Sequence, residues 1–247
     1  MGKNKLSKFA EMETFSNVLQ VSFHEIKHTD HPIKGRWNES FFDQPQPIIL
    51  ELGCGKGEYT TGLAEIVPDK NYIGIDIKGS RMWKGAKYAN KERLMNVGFL
   101  RTHIEMVDQF FAPGEVSEIW LTFPDPQMKK TRKRLTSTCF IERYRKFLKT
   151  DGIIHLKTDS NFQYQYTLAM AKANGFEIIS CKDNIYSTEK VDPVFQIKTY
   201  YEKQWIARGL TIKYISFIPN QNELIEPDVE IEPDTYRSFG RGAVSVD

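Results

Sequence analysis

The stretch Ile48-Ile49-Leu50-Glu51-Leu52-Gly53-Cys54-Gly55-Lys56-Gly57 constrains the fold more than any other part of the chain. A short apolar run ends there in an acid and three alternating glycines, and the spacing of Leu63, Ala64 and Val67 beyond them is helical. This predicts a buried strand over 48–52 that turns into a helix near 57–67. Glycine has no Cβ, so such a turn accepts positive φ and lets a ligand approach the backbone, while the first turn of the helix offers free N–H groups. The pattern is G-x-G-x-G, which departs from the G-x-G-x-x-G of dinucleotide folds and lacks the G-K-[ST] ending of a phosphate loop. Taken alone it fits a nucleoside loop and a ligand-free tight turn alike.

Two acids narrow the choice. Glu51 would repel a pyrophosphate but attract a cation such as the amino group or sulfonium of S-adenosylmethionine. The next predicted strand, 71–77 (NYIGIDI), ends at Asp76, where a carboxylate can accept both hydroxyls of a ribose. Glycine loop and strand-end acid together point to an adenosine-containing cofactor. Beyond them strands and helices alternate. A helix is expected near 80–94, a strand over 97–102, a short helix near 104–111 and a strand over 118–123. A helix near 136–149, a strand over 152–158 and a helix near 160–174 follow. This alternation predicts an α/β fold with a doubly wound, mostly parallel sheet. Glu51, Asp76, His103, Asp125 and Asp159 fall at or just past predicted strand ends, where such sheets bind ligands, so one rim can collect them. A strand over 176–180, a helix over 199–207 and a closing strand over 210–219 complete the pattern.

At 247 residues and 40% hydrophobic content the chain suffices for one α/β domain with a sizeable core. The boundaries expected are an N-terminal extension over 1–46, the main domain over 47–219 and an acidic tail over 220–247. The extension mixes lysines and arginines with Phe9, Phe15, Phe23, Trp37, Phe41 and Phe42, which suits either an RNA-contacting arm or a segment that caps the core. His24, His28 and His31 lie there too, without the companion Cys or acid motif of a metal site, and no metal is expected. No apolar run approaches the roughly 20 residues that span a bilayer, the first residues lack the apolar core of a secretory signal, and Cys54, Cys139 and Cys181 form no C-x-x-C pair. A cytoplasmic protein with reduced thiols is the expectation. Monomer and homodimer stay open.

The net charge of +2 conceals a polarised distribution. Nine Lys or Arg against one acid occupy 127–149, while six acids and no base occupy 223–234. A basic field of that density draws polyanions. It begins directly after Phe123-Pro124-Asp125-Pro126, where two prolines stiffen the backbone around an acid at the mouth of the sheet. Phosphates of a nucleic acid resting on Lys129, Lys130, Arg132 and Arg134 would lie beside the cofactor rim.

The ordered set E-L-G-C-G-K-G (51–57), G-I-D-I (74–77), F-P-D-P (123–126), K-R-L-T (133–136), H-L-K-T-D (155–159) and T-Y-Y-E-K (199–203) resembles the bacterial tRNA (guanine-N7-)-methyltransferases over residues 48–218. The resemblance implies the class I, Rossmann-like methyltransferase fold with an antiparallel last strand, and methylation by S-adenosylmethionine of a variable-loop guanine in tRNA. It implies cofactor contacts at Glu51, Gly53, Gly55, Gly57, Asp76 and His103, and makes Asp125 the acid that borders both cofactor and guanine. Lys129, Asp159, Thr199, Tyr200, Tyr201 and Glu202 match positions the family uses for its RNA. Two departures stand out: Gln127 replaces a tryptophan, and the basic loop is short and lacks its histidine. The rival readings are a methyltransferase with a small-molecule or protein acceptor, a nicotinamide oxidoreductase, and an RNA-binding module without activity.

Overall fold

The computed structural model describes residues 3–27, 29–188 and 190–237. In chain order the elements are α1 (Lys3–Glu13), β1 (Val18–Gln20), α2 (Phe23–Ile26), α3 (Trp37–Ser40), β2 (Ile48–Leu52), α4 (Glu58–Ile66), β3 (Asn71–Ile75), α5 (Gly79–Glu92), β4 (Val97–Arg101) and β5 (Val116–Thr122). There follow α6 (Thr138–Tyr144), β6 (Leu148–Thr158), α7 (Asn161–Ala173), β7 (Glu177–Lys182), α8 (Pro193–Gln196), α9 (Tyr200–Ala207) and β8 (Lys213–Ile218). The strands form one sheet in the order β1-β4-β3-β2-β5-β6-β8-β7. Pairing is parallel from β1 through β6, and β8 runs antiparallel to both β6 and β7. The predicted α/β fold, doubly wound with an antiparallel last strand, is therefore the observed one.

Side chains alternate across a strand with period two, and the central strands bury both faces. Ile48, Leu50 and Leu52 of β2, with Ile73, Ile75, Ile119, Leu121, Ile154 and Leu156, enter a core beneath α3, α6 and α7. Ile49, Tyr72, Trp120 and Tyr214 enter a second core with residues of α1, α4, α5 and α8. Glu51 shares the parity of Ile49, so its carboxylate is directed into the α4 face, where it is almost fully buried. Thr122, His155 and Lys157 follow the same parity on β5 and β6.

Two segments differ from the expected pattern. Val18–Gln20 adds an eighth strand beside β4, and Met12, Ile26, Trp37 and Phe42 of the region before β2 are buried in the cores, with Trp37 Nε1 donating to Phe110 O at 2.8 Å. The helix expected over 136–149 stops at Tyr144, because Phe147 and Leu148 are needed inside: Val116 N donates to Phe147 O, and Leu148 pairs with Val116. The strand β6 thus starts at Leu148 and bulges outward through exposed Lys149, Thr150 and Asp151 before Gly152. Beyond β8, residues 219–234 run without helix or strand, and partly buried Leu224 and Ile231 pack on the first core. Residues 238–247 of the expected acidic tail lie outside the described residues. Among the described residues, no helix is long and apolar enough to cross a membrane.

Candidate active site

The strand order reverses between β2 and β5, and a cavity of about 290 Å³ opens at their carboxyl ends. Glu51, Gly53, Gly55, Asp76, Asp125, Thr199 and Tyr201 line it. One cavity therefore collects the glycine loop with both expected cofactor acids, the acid of F-P-D-P, and part of T-Y-Y-E.

The donor side is built from backbone. Gly53 N and Cys54 N both donate to Ile75 O, at 2.8 and 3.0 Å, so the loop is anchored to the end of β3. Gly53 and Gly55 have φ of +82° and +57°, and a Cβ built on Gly53 would meet nothing within 4 Å, which leaves an open cradle above the loop. Gly57 has a different task. Its own Cβ would strike the Phe99 ring at 2.7 Å, so it lets the loop pack on β4 and start α4, outside the cavity wall. Asp76 accepts from Gly55 N at 3.0 Å and from Lys78 N at 2.7 Å, one bond to each carboxylate oxygen. Each oxygen keeps a lone pair for a hydroxyl.

Glu51 is almost fully buried and accepts from Thr60 N at 2.9 Å and from the hydroxyls of Thr60 and Thr122. Burial pushes its carboxyl up to about 7, against the opposing pull of those donors. A cationic ligand would restore the charged form, so this acid is poised to respond to one.

On the acceptor side, Phe123 and Gln127 bracket Pro124-Asp125-Pro126 with φ of +51° and +47°. Non-glycine residues hold such angles only where their surroundings enforce them. Phe123 N donates to Lys157 O at 2.8 Å, and Gln127 N donates to Asp125 Oδ1 at 3.0 Å. Arg134 supplies the remaining restraint by donating to Pro126 O, Gln127 O and Met128 O at 3.0 to 3.3 Å, with its guanidinium 4.0 Å from the Tyr166 ring centre. At 3% exposure Arg134 has no face left for a phosphate, which corrects its expected role. Lys129, Lys130 and Arg132 are exposed on the same loop.

The helix α9 closes the cavity. Thr199 and Glu202 form a reciprocal capping box, Glu202 N donating to Thr199 Oγ1 at 3.2 Å and Thr199 N to Glu202 Oε2 at 3.4 Å. Glu202 also pairs with Lys157 Nζ at 2.9 Å and accepts from Tyr186 OH at 2.6 Å, with neither Lys157 nor Glu202 exposed. A carboxylate so enclosed cannot touch RNA, so Glu202 fixes α9 on β6 and is not a substrate contact. Tyr201 borders the cavity; Tyr200 is exposed, with Lys56 Nζ 3.4 Å from its ring centre. Asp159 is buried at the end of β6, outside the cavity wall, and accepts from Tyr236 OH at 2.7 Å. His103 does not line this cavity. It stands exposed before a 3-10 turn with Phe23 edge-on to its ring, because the chain after β4 turns toward α2.

A family model described as a putative methyltransferase matches residues 45–215. The tRNA (guanine-N(7)-)-methyltransferase of Bacteroides fragilis (strain YCH46) is 56% identical over 242 residues, covering 98% of this chain and 96% of that protein. This chain belongs to the tRNA (guanine-N7-)-methyltransferase family. The family member of Porphyromonas gingivalis (strain ATCC BAA-308 / W83) is 54% identical over 93% of this chain and 96% of its own length. Among solved structures, the 16S rRNA methyltransferase KamB superposes with a TM-score of 0.57 at 14% identity, over 78% of this chain and 95% of that one, which is a likeness of fold.

This tRNA (guanine-N7-)-methyltransferase family member also places residues in the cavity that sequence reasoning passed over: Cys54, Lys56, Glu58, Arg81, Thr122, Phe123 and Trp205. Thr122 was within reach, since it is on the parity of Glu51 at the end of the neighbouring strand. Lys157 had a signal as well, a lysine in an otherwise buried strand that needs a buried partner. Arg81 and Trp205 reach the cavity from helices, and nothing local to either marks it. Among the described residues no three His, Cys, Asp or Glu side chains are grouped to hold a metal ion. His28 lies outside the described residues.

Proposed function

We propose that the chain transfers the methyl group of S-adenosylmethionine to N7 of a guanine in the variable loop of tRNA, in the cytoplasm. The observation that carries this reading is the single cavity in which the glycine loop and Asp76 face Asp125 and Tyr201. The names of the close relatives supply the acceptor class. The donor fits the residues present: the cradle over Gly53 and Gly55 is open, Asp76 has acceptor capacity for a ribose, and Glu51 is a buried acid whose charge a cation would stabilise. Bound there, S-adenosylmethionine supplies an electrophilic methyl group on a positively charged sulfur.

Guanine N7 carries an in-plane lone pair and no proton. In the transfer that pair forms the N–CH₃ bond, the S–CH₃ electron pair returns to sulfur, and the product is a neutral thioether beside a purine that has gained one positive charge. No proton leaves, so no general base is required. The work of the protein is to place N7 in line with the methyl and to steady the new charge. Asp125, rigid between its prolines and exposed on the cavity wall, faces the base, and Asp159 at the adjoining strand end adds a second negative charge. Tyr200 and Tyr201 offer stacking faces for a guanine splayed from its loop. Lys129, Lys130 and Arg132 hold the phosphates.

A tRNA transcript carrying 7-deazaguanine at the variable-loop position tests this reading. C–H replaces N7, so the transcript is expected to bind with near-normal affinity and accept no labelled methyl. Transfer to the deaza transcript at the normal rate would overturn it.

A further inference from the structure

The family match ends at residue 215, and nothing beyond it has a part in the reading above. Yet the chain comes back to the site. Asp234, almost fully buried, accepts from Ser160 Oγ and from Phe162 N at 3.1 Å, which seats it on the first turn of α7 directly after Asp159. Its own N–H donates to Met128 Sδ at 3.3 Å, on the loop that carries Lys129. Two residues later, Tyr236 OH donates to Asp159 Oδ2 at 2.7 Å, and the Tyr236 ring stands edge-on to Trp205 with centres 5.5 Å apart. Trp205 is itself a cavity wall. One short segment therefore touches the loop after β5, the end of β6 and α9.

We infer that Tyr236 is a positioning residue for methyl transfer, its hydroxyl fixing the Asp159 carboxylate and its ring seating Trp205. This rests on the reading that Asp159 steadies the charge growing on the guanine. A carboxylate that accepts a hydrogen bond from a phenol is held in a set direction. Asp234 supplies the anchor. Pinned to both α7 and the basic loop, it anchors the single 3-10 turn, Thr235–Arg237, that carries Tyr236.

The test is a double-mutant cycle of Tyr236→Phe and Asp159→Asn, read as kcat and KM separately, with melting temperature and S-adenosylhomocysteine affinity as controls. Tyr236→Phe keeps the ring against Trp205 and removes only the hydroxyl. It is expected to lower kcat about tenfold, the worth of one charge-assisted hydrogen bond, with KM for tRNA, cofactor affinity and melting temperature little changed. Adding it to Asp159→Asn should cost nothing more, because there is no longer a carboxylate to orient. Wild-type kcat in Tyr236→Phe beside an impaired Asp159→Asn would overturn the inference and leave the reading of Asp159 standing, and losses that multiply would do the same. Wild-type kcat in Asp159→Asn would overturn that reading, and the inference with it.

Discussion

Glu51 is the residue at which fold and ligand meet. Period-two alternation turns it into the α4 face, where burial lifts its carboxyl from 4.5 to about 7. Without ligand the folded protein keeps a proton that the unfolded chain gives up, so this residue's contribution to stability is full at low pH and is lost as pH rises from about 4.5 through about 7. Binding of a cation runs the other way. Calorimetry should find S-adenosylmethionine affinity falling about tenfold for each pH unit below 7, as the ionised fraction does, and Glu51→Gln should bind weakly with a flat profile; a flat wild-type profile would contradict the role. Asp125 is exposed on the opposite wall and accepts from Gln127 N at 3.0 Å, so Asp125→Ala should nearly abolish turnover while tRNA binding stays within a few-fold. Full activity in that variant would remove Asp125 from the chemistry. At this scale the strand-end acids were legible because an acid that closes an apolar run has few structural reasons to be there. Arg134 was not. A basic run looks uniform in sequence, and only the positive φ of Gln127 and three nearby carbonyls make one of its arginines an internal brace.

Elements are held in register by a pair the motifs contained without explaining. Lys157 of β6 and Glu202 of α9, both fully buried, join through a 2.9 Å contact, and Tyr186 OH and the Thr199 cap complete the carboxylate. Burial pulls the Lys157 ammonium below its ordinary value, with Glu202 opposing the shift. Breaking one side leaves an uncompensated charge, so Glu202→Gln should lose about 3 to 5 kcal/mol in denaturant unfolding, and Lys157→Met with Glu202→Leu should recover most of it. A loss below about 1 kcal/mol would show that α9 is held by something else. The alternation of strands and helices was readable from 48 onward because each buried strand is a short apolar run bounded by glycine or an acid. The three-residue β1 was not, since a single turn of pattern carries no period. The end of α6 was misread for a related reason: Phe147 and Leu148 continue the apolar spacing of the helix yet are claimed by β5.

Across the whole molecule, charge is sorted by region. Lys129, Lys130 and Arg132 stand exposed on the loop that follows Asp125, and Lys56, Lys84, Lys198 and Lys203 line a groove of about 750 Å³ that shares Lys56 and Glu58 with the cavity. The acidic segment after β8 is spent partly on the fold: Glu226 accepts from Thr138 Oγ1 at 2.6 Å and from Tyr166 OH, and Asp234 caps α7. Lys129→Ala with Arg132→Ala should weaken tRNA binding and lower the slope of log K against log salt by roughly 1.5 to 2. Arg134→Ala should leave the slope alone and cost about 2 kcal/mol of stability, because its three carbonyls lose their donor. An unchanged slope in the double variant would move the RNA surface away from this loop, and salt-independent binding by the wild type would favour a small acceptor. The measurement that tests the central claim most directly is incubation of unmodified tRNA with the protein and methyl-labelled S-adenosylmethionine, followed by nucleoside analysis of the separated tRNA fragments. The label is predicted in 7-methylguanosine from the variable-loop fragment, and label in any other nucleoside, or in the protein alone, would contradict the account.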